Sequence, residues 1–326
     1  MELSRCERAE ETDDSLRYVV EFSSDVIEEP TRIAYRFLYR DANINIREND
    51  DPHGHLVDLL GDEAVTGYLG NFVQNYIAGF VAEQAGVCPY GAPTIVDVSD
   101  DVSGGMSAGR WSAEKSRILS IEFRKTPRYE LSDYNPLQVA VLPGSDDEAK
   151  AASLLKTLLR RFQQDVRPDD LKIVLDEMTK RFFRRLQMKN MTVEQYCKKN
   201  NLDEERLHTL IFKEALESFK EDMSLDAIFR HHGLVCEKND EQVILVQIEP
   251  DHPDSLKRQL EETYSAGWLR QAAERQRTRR WLMETARFIT DESATSYGGL
   301  SSAEALRVIR ETVSKMQATA PTTNIP

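Results

Sequence analysis

The chain has 326 residues, 40% of them hydrophobic and 30% charged, with a formal net charge of −14. That length predicts two domains of about 100–200 residues, and the acidic field argues against a free-standing, tight nucleic-acid binder because phosphates would be repelled. No apolar run approaches the roughly 18 residues that cross a bilayer, and Met1-Glu2-Leu3-Ser4-Arg5-Cys6 lacks the apolar stretch of a secretory signal. The widely spaced Cys6, Cys88, Cys197 and Cys236 read as reduced cytosolic thiols, not as a disulfide frame or a zinc site.

Residues 1–15 are acidic and short of aliphatics, which predicts a frayed tail. Leu16-Arg17-Tyr18-Val19-Val20-Glu21-Phe22 reads as a strand, rich in β-branched and aromatic residues. Ser23-Ser24-Asp25 offers N-cap groups for a helix running to about Tyr39. A polar, acidic loop is expected from Asn43 to His55. From Asp58 onward Val65, Leu69, Phe72, Val73, Tyr76, Ile77 and Phe80 recur three and four apart, as on a helix ended by Gly86. Strands are predicted at Thr94–Val98, Ile118–Phe123, Tyr129–Leu131 and Leu137–Leu142, with a Gly/Ser-rich loop from Ser103 to Gly109. The stretch 16–142 therefore reads as an α+β domain, an antiparallel sheet with two helices in two layers.

Pro143–Asp147 reads as a linker, after which the pattern over 148–290 is all-α. Helices are expected at Glu148–Gln164, Pro168–Lys189, Thr192–Lys199, Asp203–His231 and Pro253–Arg287, the last broken near Gly267. Gln242–Ile248 fits either a strand or a short buried helix. A further helix, Ser301–Gln317, and a disordered end are expected in 291–326.

Motifs of catalysis are scarce. The chain holds no GxxxxGK[ST], no GxGxxG after a strand and no HExxH. A hydrolase reading would have to use His53, His55 and Asp58 around a metal. Two histidines and one carboxylate in a polar loop read better as a solvated loop. His231-His232-Gly233 suits a helix C-terminus, histidine favouring the dipole and glycine the left-handed C′ position. Two basic runs stand out, Lys180–Lys189 with interleaved Phe182 and Phe183, and Arg270–Arg280. Each reads better as the solvated face of an amphipathic helix than as an RNA, membrane or acidic-peptide patch. Along Asp203–His231, one stripe (Leu207, Ile211, Ala215) and a second (Phe212, Leu216, Phe219, Met223) make an unusually wide apolar face. Burial between two helices explains it best; the sharper alternative leaves part of it open to clients.

The order of these segments resembles trigger factor, the family of bacterial ribosome-associated chaperones. Three stretches carry the resemblance. They are Leu16–Ile44, then Asp62–Leu142 with its turn Pro89-Tyr90-Gly91-Ala92-Pro93-Thr94 and Pro127-Arg128-Tyr129-Glu130-Leu131-Ser132-Asp133-Tyr134, and then Gln164–Glu237 with Met191-Thr192-Val193-Glu194-Gln195-Tyr196 and Ser224-Leu225-Asp226-Ala227-Ile228. The resemblance implies a helical domain with two arms that cradles unfolded or nascent polypeptides on scattered apolar spots, in the cytoplasm, without nucleotide, metal or other cofactor. Phe182, Met188, Met191, Phe212, Phe219, Met223 and Phe229 are the expected client-binding residues, because Phe and Met adapt to many sequences. Excess negative charge would keep a chaperone–client complex in solution.

Two departures from the family matter. Its members carry Gly-Phe-Arg-x-Gly-Lys-x-Pro in a ribosome-docking loop, and the matching positions here are Asn45-Ile46-Arg47-Glu48-Asn49-Asp50-Asp51-Pro52. Arg47 and Pro52 keep register, but Asn49 replaces the second glycine and Asp50 the lysine. Asp50 and Asp51 repel phosphate and cancel Arg47, so weak or absent ribosome docking is expected. The family also inserts a prolyl isomerase domain where this chain has only Pro143–Asp147, too short for a domain of about 50 residues. The expectation is a non-enzymatic holdase with no DNA or membrane partner, a homodimer being left open. The alternative is a binding module or adaptor for one folded partner.

Overall fold

The computed structural model describes residues 3–41, 52–98 and 117–291. The chain divides into two compact units, each assembled from two stretches of sequence: Met1–Thr126 with Gln242–Gln271, and Pro127–Glu241 with Ala272–Pro326.

The first unit contains β1 (Arg5–Glu11), β2 (Ser15–Phe22), a 3-10 turn (Ser24–Ile27), α1 (Glu28–Asp41), α2 (Pro52–Leu60), α3 (Asp62–Gln84), β3 (Thr94–Asp97) and β4 (Arg117–Arg124). The strands form an antiparallel sheet in the order β1-β2-β4-β3. The register sets Leu16 opposite Phe123, Tyr18 opposite Ile121 and Val20 opposite Leu119. Side chains two apart share a sheet face, so Leu16, Val20, Phe22, Leu119, Ile121 and Phe123 bury together against Val73, Ile77, Ala78 and Val81 of α3. This is the two-layer α+β arrangement the hydrophobic pattern predicts.

Two expectations fail here. Arg5–Glu11, read as part of a frayed acidic tail, is an edge strand paired along β2. Its ladder is made by the backbone and needs no aliphatic side chains. The charges that suggested a tail pair instead across the sheet, Arg17 with Glu10 at 3.0 Å and Lys125 with Glu11 at 2.9 Å, and charge on an edge strand discourages stray pairing. The predicted polar loop ends early, because α2 starts at Pro52; Gly61, at φ 87°, then separates it from α3, so this unit has three N-terminal helices, not two.

The second unit contains β5 (Gln138–Val141), α4 (Asp147–Leu159), α5 (Pro168–Met188), α6 (Val193–Lys199) and α7 (Glu204–His232). α8 (Lys238–Ile248) and α10 (Ala266–Thr285) contribute residues to both units, α9 (Pro253–Glu262) belongs to the first, and β6 (Arg287–Thr290) to the second. The ambiguous Gln242–Ile248 run is thus helical, and the long Pro253–Arg287 pattern is two helices, broken where Tyr264 takes φ 52°. Helix ends follow their sequence signals. Thr192 and Gln195 close a reciprocal capping box, Asp203 caps α7 through the Arg206 N–H at 2.7 Å, and Gly233 ends α7 in the left-handed region.

This unit is not all-α. β5 pairs with β6 in parallel, Gln138 facing Arg287. Nor does Tyr129–Leu131 form a strand. Its backbone donors are already taken: the Glu130 N–H by Gln164 Oε1, the Leu131 N–H by the Tyr134 hydroxyl and the Ser132 N–H by the Arg161 carbonyl. The two compact units divide the chain at Thr126–Pro127, so 127–141 groups with the helices of the second unit. Residues 142–146 alone connect β5 to α4, with Asp146 capping the helix through the Ala149 N–H.

Candidate functional site

Three helices of the second unit build one apolar groove. α5 ends at Met188; the chain then reverses through Asn190, at φ 48°, with the Met191 N–H returning to the Leu186 carbonyl at 3.0 Å. The capping box on Thr192 fixes the short α6, and a second reversal through Asn201, at φ 52°, leads into α7. The last turns of α5 and the first turns of α7 thereby enclose a groove of about 650 Å³. Its apolar lining comprises Phe182, Leu186, Met191, Tyr196, Leu207, Leu210 and Ile211. Phe182 meets the Tyr196 ring edge-on at 5.1 Å. Leu186 and Leu207 are buried, while Leu210 keeps 46% of its surface exposed. The polar lining is Arg185, Lys189, Lys199, Asn200, Lys213, Glu214 and Glu217.

The expected client-binding residues part company here. Phe182 and Met191 come together in the groove. Met188, at the end of α5, is 79% exposed. Phe212, Phe219 and Met223 are instead core residues, 4%, 0% and 1% exposed. Phe219 packs edge-on against Tyr129 at 5.4 Å, so the wide apolar face of α7 is covered on that side. Phe229 is half-buried and lies roughly 28 Å along α7 from Leu210 at 1.5 Å per residue, well away from the groove. Sequence reasoning missed Leu210 and Tyr196 as lining. Leu210 falls one turn from Leu207 and outside both apolar stripes, which was the available signal. Ile46, Arg47, Glu48, Asn49 and Asp50 lie outside the described residues, as does Ser301–Gln317; Pro52 is the first residue of α2.

Other candidates resolve into structural contacts. His53 and His55 sit two apart on α2 and so point to different sides. His53 Nδ1 lies 3.0 Å from the Tyr35 hydroxyl, and the His55 ring stacks on Tyr39. Among the described residues no group of three His, Cys, Asp or Glu side chains is placed to hold a metal. His231 stacks on Tyr134 at 3.9 Å and His232 on Trp281 at 4.3 Å. The Cys236 thiol is pushed up to about 11, first by burial and then by Glu274, Asp240 and Glu241, so it stays protonated and poorly nucleophilic at neutral pH. The second basic run is largely neutralised on α10. Arg275 grips Asp226 with two hydrogen bonds of 2.8 and 2.9 Å and Asp222 at 2.6 Å, Arg279 holds Glu221 at 2.9 Å, and Arg280 holds Glu237 and Asp240.

Among the described residues no helix is long and apolar enough to cross a membrane. No known protein-family model matches the chain, and no curated protein matches it in sequence.

Proposed function

We propose that this chain is a non-enzymatic chaperone that holds unfolded or nascent polypeptides without consuming nucleotide, and that the α5–α6–α7 groove is where an apolar client segment docks. The observation that carries the reading is the groove itself: a preformed cleft with an aliphatic and aromatic floor, rimmed by long polar side chains. Such a cleft accepts side chains of many shapes. A buried Leu or Phe contributes about 1.5–3 kcal/mol, so one groove binds weakly and reversibly, as a holdase requires. Met191 and the exposed Met188 add adaptable thioether surface at the end of α5. Phe212, Phe219 and Met223 take no part, since they hold the helices together. Ribosome docking is weak or absent in this reading, because Asp50 and Asp51 stand where cations would be needed.

Suppression of aggregation of a denatured model enzyme tests the proposal. Phe182→Ser with Leu210→Ser should lower suppression about tenfold while leaving the unfolding temperature near that of the parent. Phe219→Ser should lower the unfolding temperature instead, by about 3–5 kcal/mol of stability. Suppression should be the same with and without salt-washed ribosomes. Equal suppression by the groove variant and the parent would remove the groove from the function.

A further inference from the structure

The groove is electrically distinct from the chain that carries it. Arg185, Lys189 and Lys199 line it, and none makes an ion pair or side-chain hydrogen bond among the described residues. Lys213, the fourth lining cation, is 4.0 Å from Glu217. Arg181, Arg184 and Lys198, exposed on the same two helices, are likewise without ion pairs among the described residues. The contrast with α10 is internal to the protein. With 56 acidic residues against 42 basic ones, partners for cations are abundant, and Arg275, Arg279 and Arg280 have found them. Among the described residues Arg185, Lys189 and Lys199 are left without such partners around an apolar cleft, although Lys180, further back on α5, pairs with Glu177 at 3.1 Å.

We infer that the groove selects polypeptide segments in which apolar side chains are flanked by carboxylates. The inference rests on the holdase reading and names the chemistry of its client. The anchor side chains enter between Phe182 and Leu210, and flanking Asp or Glu residues meet Arg185, Lys189 and Lys199. Guanidinium and ammonium groups that are already uncompensated lose no existing partner on binding, so complementarity acts on both selectivity and encounter rate. RNA is a poorer occupant: its phosphates repeat at every nucleotide and meet the chain's net charge of −14, whereas a peptide can set a few carboxylates beside the lining cations and apolar side chains on Phe182 and Leu210.

Fluorescence anisotropy on the full chain tests this with three labelled peptides that share a Leu-Phe-Leu-Leu core and are flanked by Asp/Glu, by Ser or by Lys/Arg. The acidic peptide should bind about tenfold tighter than the Ser-flanked one, summing modest gains from several exposed pairs, and added salt should narrow the gap. The triple variant R185E/K189E/K199E should invert the order of acidic and basic peptides, and the neutral R185Q/K189Q/K199Q should erase it. All three side chains are exposed, and unchanged circular dichroism melts would show the fold intact. Equal binding of the three peptides overturns the inference, and if Phe182→Ser still weakens all of them, the holdase reading survives that failure. Loss of aggregation suppression together with absence of any peptide binding would remove both. Stronger competition by a single-stranded RNA than by the acidic peptide, or a dimer in sedimentation that R185E/K189E/K199E disperses, would overturn the inference by giving the groove a different occupant.

Discussion

Tyr129 has its hydroxyl fixed from two sides: it donates to Asp170 Oδ2 at 2.8 Å and accepts from the Arg167 N–H at 3.0 Å, while its ring touches Phe162 and Phe219. Arg167 Nε, 2.7 Å from the same carboxylate, supplies the charge that a fully buried Asp170 requires. Burial first, and then the Asp170 carboxylate, hold the Tyr129 phenol above its ordinary value of 10.0. A phenol whose folded value is raised contributes stability that is fully present below the unfolded value and is lost as pH rises through the folded one. Tyr129→Phe should therefore cost about 1–3 kcal/mol at neutral pH, where it strips a donor from Asp170. The same variant should shrink the drop in unfolding temperature above about pH 10. Thermal melts of parent and variant across that range measure both effects, and parallel alkaline drops would show that another group is responsible.

Elements in the first unit meet by close approach as well as by hydrophobic burial. Tyr264, in the turn between α9 and α10, sits edge-on to Tyr76 at 5.0 Å and to Phe80 at 5.1 Å. Gly79 of α3 lies beneath it: a Cβ there would stand 3.1 Å from both Tyr264 Cβ and its carbonyl oxygen and 3.2 Å from the Thr263 carbonyl. Two of those atoms are backbone, so a rotamer change cannot relieve the contact. Gly79→Ala gains helix propensity, worth up to about 1 kcal/mol, yet overpacking costs about 1–3 kcal/mol. A lower denaturation midpoint in urea is the expected result, with Gly67→Ala, where nothing lies within 4 Å, as the stabilised control. The ion pair of Arg36, on α1, with Glu262, at the end of α9, also links the two stretches of this unit at 2.9 Å, but it is exposed and adds little.

Each unit of the whole molecule closes only when distant stretches of chain meet. The second is completed by β6, whose Arg287 N–H donates to the Leu137 carbonyl at 2.8 Å and whose Asp291 N–H, just beyond it, donates to the Val141 carbonyl at 3.0 Å. Non-local pairings of this kind form late and repay their loop-closure entropy last. Ile289→Pro deletes a backbone donor midway along this short ladder, at a side chain that is itself 42% exposed. Hydrogen exchange should speed up in β5 and α4 of the second unit, while the β1–β4 sheet keeps its protection. Uniform loss of protection across both units would show that they unfold as one. The net charge of −14 acts at this scale too, keeping copies of the chain apart in solution.

The amino-acid sequence alone determined what depends on local chemistry. The core strands β2 and β4, the helices α4 to α7, the Thr192 capping box, the Asp203 cap and the left-handed Gly233 all follow from periodicity and hydrogen-bonding side chains within a few residues. It also located Phe182 and Met191, two of the residues that line the groove. Tertiary structure decided the rest, because burial is a property of neighbours and not of residue type. Phe219 and Met188 are equally good clients' partners on paper; one is sealed beneath Tyr129 and the other is bare. Arg5–Glu11 became a strand because β2 offered it an edge, and Tyr129–Leu131 did not, because side chains had already claimed its backbone donors. The two basic runs look alike in sequence and differ in the fold because α10 lies against acidic side chains of α7, while the end of α5 carries Arg185 and Lys189 to a groove where, among the described residues, they have no ion-pair partner.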